Sequence, residues 1–528
     1  MKPAFTFAEI REAEKSIIEK EGIPSLILME NAGKNAFDVI TTIYPDIAER
    51  TIVIVCGKGN NAGDGFVIAR HFLINSIPVE IFTLSQPDEL KGDALVNYEV
   101  LVKLSSELCT IYNVTESEPD ILYNFLKRIK GKAVIIDALL GSGIKGSVTG
   151  LYEKIINQVN KIKYKNIKID VISVDVPSGL GEDNSGGAII DACYTITMGA
   201  VKTNLLNGRG KENTGQLFVV PIGITNELIE KYNNYNKYIV EEDDVKRGLP
   251  IRKKTSYKYS NGKALVIGGS KGLSGALIMS SLAALRAGSG AVMAAYPGSL
   301  SAHFGRKLYE VIKTELPETD EGTISAEAFD KLNKQLAKAD AVLIGPGLSL
   351  NSSTAEFLFE VISRCEKPMV IDADALTLLA GNLNLLKQIS NKNIILTPHI
   401  GEFSKLSGLT TDDITADRFL AVRKFAGEYN VNVILKSETS FACTPEGKIY
   451  INNTGNEQLA SAGSGDILSG IVVSMLSQTK DTLSAMLCGN YILGRIAEKY
   501  SGKAGNRQTA LQKDMIDLIP GVITEILE

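Results

Sequence analysis

The 528-residue chain has no C-x-x-C pair: its six cysteines stand singly at 56, 109, 193, 365, 443 and 488. This excludes the usual ligand spacing of a zinc site and the framework of a disulfide-stapled domain. Reduced thiols in a cytoplasmic protein are the expectation. No apolar stretch reaches the length of a membrane span. The start, Met1-Lys2-Pro3-Ala4, has no apolar signal core and runs straight into an amphipathic helical pattern. An excess of one charge is also missing. The 56 basic and 61 acidic residues leave −5, which argues against nucleic acid as the main partner, because phosphate backbones select basic faces. The local run Arg252-Lys253-Lys254 reads as a solvated linker. Of only three histidines, His71 and His303 have no chemical setting and read as structural.

What is present is a globular composition, 44% hydrophobic and 22% charged, at a length that suits two to four domains. Thr6 and Glu9 form a capping box that opens a helix, and Leu26 to Ile43 continues the helical periodicity. The β-branched run Thr51-Ile52-Val53-Ile54-Val55 reads as a buried parallel strand. A Gly/Asn-rich turn follows, then a helix over Phe66 to Ile77. Strands are predicted at Val79–Leu84, Ala133–Asp137 and Val171–Val176. The pattern loosens between Thr225 and Lys258, which places a boundary near residue 235. A second series begins at Ala264–Ile267 and continues through Ala341–Ile344, Met369–Ile371, Ile394–Leu396 and Val433–Leu435. Long helical patterns close it, the last ending at Ile519-Pro520. Alternating strands and helices predict α/β architecture with mostly parallel sheets.

In such sheets ligands bind where loops leave the carboxyl ends of strands. Ala462-Gly463-Ser464-Gly465-Asp466 precedes an apolar helix over Ile467 to Leu476. Free amides at a helix start make an anion site. Asp466 beside them is either a helix N-cap or a base that takes the proton of an attacking hydroxyl during phosphoryl transfer. Four more strand ends carry Gly or polar clusters: Ile267-Gly268-Gly269-Ser270, Gly345-Pro346-Gly347, Asp372-Ala373-Asp374-Ala375 and Thr397-Pro398-His399-Ile400-Gly401-Glu402. The fifth, Lys436-Ser437-Glu438-Thr439-Ser440, completes the set. Asp374 reads as a helix cap. His399, following Thr-Pro at a strand end, reads as functional.

In this order, G-G-S, G-P-G, D-A-D-A-L, T-P-H-x-G-E and G-S-G-D resemble the ADP- or ATP-dependent NAD(P)H-hydrate dehydratases, whose fold is similar to ribokinase-like kinases. The resemblance implies that Ala276, Gly347, His399 and Asp466 bind the hydrate. It implies that Lys436, Ser437, Glu438, Thr439, Ser440 and Gly465 bind the nucleotide, with ADP accompanied by Mg²⁺ and giving AMP. The family's S-H-K-G approach to the first strand reads Ser256-Tyr257-Lys258-Tyr259 here.

The N-terminal loops are Gly57-Lys58-Gly59-Asn60-Asn61-Ala62-Gly63-Asp64-Gly65, Asp137-Ala138-Leu139-Leu140-Gly141-Ser142-Gly143 and Asp175-Val176-Pro177-Ser178-Gly179. Their oxygens suit a hard cation, or else three tight turns with Asp and Asn caps. Together they are similar to the NAD(P)H-hydrate epimerases, often fused ahead of the dehydratase. This implies a potassium ion on Asn61, Asp137 and Ser178. It implies hydrate contacts from Asn60, Asn61, Ala62, Gly63 and Asp64, from Gly141, Ser142, Gly143, Ile144, Lys145, Gly146 and Ser147, and from Asp175, the expected acid–base residue. Ala62 stands where Gly is usual and demands a negative φ.

The expectation is therefore a Rossmann-like three-layer epimerase domain over 1–230 and a ribokinase-like three-layer dehydratase domain over 236–528. It would be a cytoplasmic homo-oligomer acting on NAD(P)H-hydrate and ADP, with neither nucleic acid nor membrane as partner. The alternatives are a vitamin kinase in the C-terminal half and a non-catalytic binding module in the N-terminal half.

Overall fold

The computed structural model describes residues 1–104, 107–144, 146–182, 187–233, 236–504 and 511–528. Its contacts divide the chain into two compact units, Lys2–Tyr235 and Asn236–Glu528, the second including Met1.

In the first unit seven parallel strands form one sheet. Their order is Cys109–Asn113, Val79–Thr83, Thr51–Cys56, Ala133–Ala138, Ile169–Val174, Tyr194–Met198 and Gln216–Val220. Alternation along one strand shows why the central run is apolar at every position. Ile52, Ile54 and Cys56 belong to one core, and Val53 and Val55 to another on the opposite face. Helices cover both faces, so Ile52 to Cys56 are all buried, and a fully buried Val or Ile contributes about 1.5–3 kcal/mol. Two later strands add on one side of Thr51–Cys56 and four on the other, so the order reverses there. At this switch point the two exit loops touch: a Cβ on Gly57 would lie 2.0 Å from the carbonyl oxygen of Leu139.

The helix after the first strand starts at Asn60, not near Phe66, and runs to Ile74. The glycines that read as a turn are packing positions. A Cβ on Gly63 would meet Met29 Sδ at 2.6 Å, and one on Gly65 would meet the Ala138 Cβ at 2.7 Å. Ala62 is helical and fully buried, so its φ is of the sign its methyl requires.

In the second unit seven parallel strands run in the order Ile312–Leu316, Ala291–Pro297, Lys263–Ile267, Ala341–Ile344, Met369–Ile371, Ile394–Leu396 and Asn432–Leu435. Phe441–Cys443 and Ile449–Asn452 then continue the sheet antiparallel, and Lys237–Val240 pairs parallel to Ile449–Asn452. Residues 436–440 are thus a hairpin connection, a distinction that periodicity does not carry. Ala264 and Val266 pack in a core with the helices Ser274–Arg286, Ser464–Thr479 and Thr482–Ala504. Leu265 and Ile267 are equally buried but outside that core, so the second face is covered too. A Cβ on Gly268 would lie 2.2 Å from Pro346 O, marking the corresponding switch point. The final helix, Gln512–Leu527, continues past Pro520.

Candidate active sites

A cavity of about 690 Å³ opens at the first unit's switch point. Of the residues expected from the motifs, Asn60, Asn61, Asp64, Gly141, Ser142, Gly143, Ile144 and Asp175 line it. Ala62 and Gly63 do not, because the helix turns them into its packing against neighbouring elements. Gly146 and Ser147 also lie off the lining, and Ser147 sits against Gly187. Lys145 lies outside the described residues.

Asn61, Asp137 and Ser178 converge beside this cavity. Asp137, 1% exposed, accepts from Ser173 Oγ (2.8 Å), Ser178 N (2.9 Å), Ser178 Oγ (2.5 Å) and Leu139 N (3.3 Å). Burial pushes its carboxyl up, and these donors pull it back. The Leu140 carbonyl lies 3.0 Å from Asn61 Nδ2 and 3.1 Å from Ser178 Oγ. One serine proton therefore faces two acceptors, and Asn61 Oδ1 is buried without a donor. An oxygen-rich pocket short of protons is chemically suited to a hard cation.

Asp175 has φ +65°, a left-handed conformation that Asp tolerates better than most side chains. Its Oδ1 accepts from Lys202 Nζ (2.5 Å), Met198 N (3.2 Å) and Thr197 Oγ1 (3.3 Å). Lys202 is 1% exposed and also donates to Met198 O at 2.7 Å. Glu14 reaches the same cavity from the helix Phe7–Glu21. Burial raises its carboxyl to about 7, with Lys202 opposing. Asp64 is pushed well above the carboxylate range by burial and by the charges of Asp175 and Glu14. Sequence reasoning missed Glu14 and Lys202. Glu14 is one acid among several on an amphipathic helix, and Lys202 sits in a two-residue strand with no motif around it.

In the second unit the helix Ser464–Thr479 is preceded by Gly463 at φ +95°. Among the described residues the amides of Gly465 and Asp466 have no acceptor, which fits an anion site. Asp466 is not the cap: Gly463 holds that position, and the Asp466 carboxylate accepts no hydrogen bond among the described residues. Burial raises it to about 7, helped by Asp372 and countered by Lys436. Lys436 Nζ lies 2.8 Å from Asp372 Oδ1 and 3.8 Å from Glu402 Oε2, and a Cβ on Gly465 would be 3.3 Å from it. Burial opposes the Lys436 charge, but Asp372, Glu402 and Asp466 outweigh it and raise its pKa. A bridge between His399 and Lys436 brings the two strand-end loops side by side. Ala276 and Gly347 are also brought together: a Cβ on Gly347 (φ +64°) would be 3.3 Å from that of Ala276.

The loop 436–440 is held from within and from outside. Ser437 Oγ donates to Thr439 O (2.7 Å), and Asn452 N donates to Ser440 O (2.9 Å). Buried Arg418 donates to Ser437 Oγ (2.9 Å) and to Glu438 Oε1 (2.5 Å). Arg418 had no sequence signal, being one basic residue on a helix. One expected role changes, and one residue gains a second role. Asp374 does not cap: the N-cap position belongs to Ala373, and Asp374 accepts from Ser349 N at 2.8 Å. His399 does cap, its Nδ1 accepting from Gly401 N (3.0 Å) and Glu402 N (3.2 Å). The other ring nitrogen, Nε2, lies 3.6 Å from Glu402 Oε1 and is the edge left for a ligand.

Residues 25–204 match the family model described as YjeF-related protein N-terminus, and residues 264–520 the model described as Carb_kinase: NAD(P)H-hydrate dehydratase. The bifunctional NAD(P)H-hydrate repair enzyme Nnr of Moorella thermoacetica is 35% identical, over 99% of this chain and 97% of its own. That of Escherichia coli strain K12 is 30% identical, over 94% and 90%. A solved ADP/ATP-dependent NAD(P)H-hydrate dehydratase from Bacillus subtilis, co-crystallised with ATP/Mg²⁺, is 26% identical. It covers 55% of this chain and 98% of its own, with a TM-score of 0.47. The full-length relatives favour neither a vitamin kinase nor a non-catalytic N-terminal module. With similarity sustained along the whole chain and both models matched in order, the protein belongs to the bifunctional NAD(P)H-hydrate repair enzymes.

Proposed function

We propose that residues 1–230 interconvert the two epimers of hydrated NADH or NADPH, and that residues 236–528 dehydrate the S epimer at the expense of ADP. The observation that carries the second half is Asp466: a half-buried carboxylate that accepts no hydrogen bond among the described residues, beside two free amides and Lys436. Asp466 takes the proton of the hydrate hydroxyl as that oxygen attacks the β-phosphorus of ADP. The amides of Gly465 and Asp466 hold the transferring group, Lys436 and the hairpin through Ser440 seat the nucleotide, and AMP leaves. Phosphate then departs as the ring nitrogen forms C=N, and loss of a neighbouring proton restores the dihydropyridine. Ala276, Gly347 and the Nε2 edge of His399 border the hydrate. Asp372, Asp374, Glu402 and Asp466 outnumber the single Lys436 ammonium, a charge balance that suits Mg²⁺ arriving with the nucleotide, where it would screen the phosphates.

In the N-terminal domain, Asn61, Asp137 and Ser178 would hold potassium, supported by the orphaned Asn61 oxygen and the shared Ser178 proton. Bound there, the ion would supply fixed positive charge beside the cavity. Exchanging K⁺ for Li⁺ is expected to slow epimer exchange at least about tenfold and to leave the dehydratase unchanged; equal exchange rates in both salts would remove the cation from this site. The unpaired thiols fit action in the reducing cytoplasm.

The reading is tested by incubating the protein with both NADH-hydrate epimers and ADP or ATP while following NADH absorbance. Full recovery with ADP is expected, and no recovery with either nucleotide overturns it. Arg418→Ala, which frees the 436–440 loop, is expected to raise the KM for ADP roughly tenfold, for loss of one or two charge-assisted hydrogen bonds, with epimer exchange intact. An unchanged KM would show that the loop holds itself.

A further inference from the structure

The epimerase cavity contains more acid–base chemistry than the expected Asp175 supplies. Glu14 is half-buried and borders the same space as Asp175, from a different element. Its helix is anchored over the turns that precede Glu14. Thr6 and Glu9 close a capping box, Phe7 N donates to Asn204 Oδ1 (3.0 Å), and Ala8 N donates to Glu182 Oε1 (3.2 Å). One turn before Glu14, Arg11 donates to the carbonyl of Ser142, in the loop expected to touch the hydrate, and to Glu182 Oε2 at 3.0 Å. Arg11, Glu14 and Ile18 therefore form one helical stripe along the cavity wall, at i, i+3 and i+7 spacing. Asp175, by contrast, is held in an ion pair with buried Lys202, Oδ1 to Nζ 2.5 Å.

We infer that Glu14 is a second catalytic residue of the epimerase, acting as the acid where Asp175 acts as the base. This rests on the epimerase reading of the cavity. The Glu14 carboxyl protonates the hydroxyl of the bound hydrate. The C–O bond breaks, water leaves, and the ring nitrogen's lone pair forms C=N. A water molecule adds to the other face of that carbon and its proton passes to Asp175. The product is the opposite epimer, with Glu14 ionised and Asp175 protonated. The reverse reaction runs with the two roles exchanged, as an epimerase needs, and the open cavity lets both groups re-equilibrate with solvent. The charged and titratable groups around Glu14 are Lys202, Asp175, Arg11 and Asp64. The elevated pKa of Glu14 keeps a share of it protonated near neutrality, which suits a donor.

The test measures interconversion of purified R and S hydrates by the full-length protein in H₂¹⁸O, without nucleotide. Wild type is expected to exchange the epimers and place one ¹⁸O in each newly formed epimer. Glu14→Gln is expected to slow exchange at least about 100-fold, Glu14→Asp to restore part of it, and S-hydrate dehydration with ADP to stay normal in both. Glu14→Gln exchanging within threefold of wild type overturns the role of Glu14. Epimer exchange without ¹⁸O entry overturns the water-loss route. Absence of exchange in wild type would instead overturn the epimerase reading itself. Should Glu14→Gln be slow, loss of the limb near pH 7 from the exchange pH profile separates acid catalysis from a packing defect, which would scale the profile without reshaping it.

Discussion

Asp466→Asn is expected to lower ADP-dependent recovery of NADH from S-hydrate by roughly 100- to 10,000-fold, the range for loss of a general base, while leaving epimer exchange untouched. The amide keeps the size of the carboxylate and does not disturb a cap, because Gly463 and not Asp466 occupies the N-cap position. The loss should therefore appear in kcat, with the KM for ADP little changed. Wild-type turnover should rise with pH through about 7, as Asp466 loses its proton. The same substitution should stabilise the fold in alkali. The folded carboxyl titrates near 7, against about 3.9 unfolded. Its contribution is thus favourable below about pH 4 and is lost as pH rises through about 7. At pH 8 the variant should melt higher than wild type, and at pH 4 the two should agree. Normal turnover by Asp466→Asn would remove Asp466 as the base.

Asp175→Asn is expected to have the largest effect in the other domain: epimer exchange lost by roughly 100-fold or more, so that a mixed hydrate sample recovers only its S fraction. Asn accepts the left-handed backbone at φ +65°, so strain is not the cause. The complication is Lys202, 1% exposed, whose charge would be left without its carboxylate. Breaking one side of a buried ion pair costs about 3–5 kcal/mol, enough to lower stability for reasons unrelated to chemistry. The double variant Asp175→Asn with Lys202→Met removes both charges. It should regain most of the lost stability while epimer exchange stays absent. If exchange returned with stability, Asp175 would be a structural partner of Lys202 and not an acid–base group.

Much of this architecture was legible in residue order. The runs at Ile52–Val55 and Ala264–Ile267 are apolar at every position because both faces of a parallel sheet are covered. The motifs pointed to Asn61, Asp137, Ser178 and Lys436 because each stands at or just past a strand's carboxyl end, and to Gly465 and Asp466 because they open the helix Ser464–Thr479. The misreadings have physical causes. The glycines of the 57–65 loop looked like a turn, yet they let the helix Asn60–Ile74 approach Met29 and Ala138. Asp374 looked like a cap and instead holds the Ser349 amide. His399, read as functional, also commits one of its nitrogens to capping.

By itself, the sequence determined which chemistries were available: strand-end glycines for close backbone approach, oxygens for a cation and a carboxylate beside free amides. These are local properties of loops and survive without knowledge of distant neighbours. Only the tertiary structure decided what each charged group does. Lys202, Glu14 and Arg418 carry no local signal, since a lone Lys, Glu or Arg reads as a solvated residue until folding removes it from water. Burial beside Asp175, in the cavity wall, or behind the Ser437 loop turns each into a partner, because a charge withdrawn from water is tolerable only where another group answers it. For Asp466 the charged neighbours came from three separate segments: Asp372 with Asp374, Glu402, and Lys436. Their convergence, and not the G-S-G-D spacing, puts the carboxyl near 7, where a base can work.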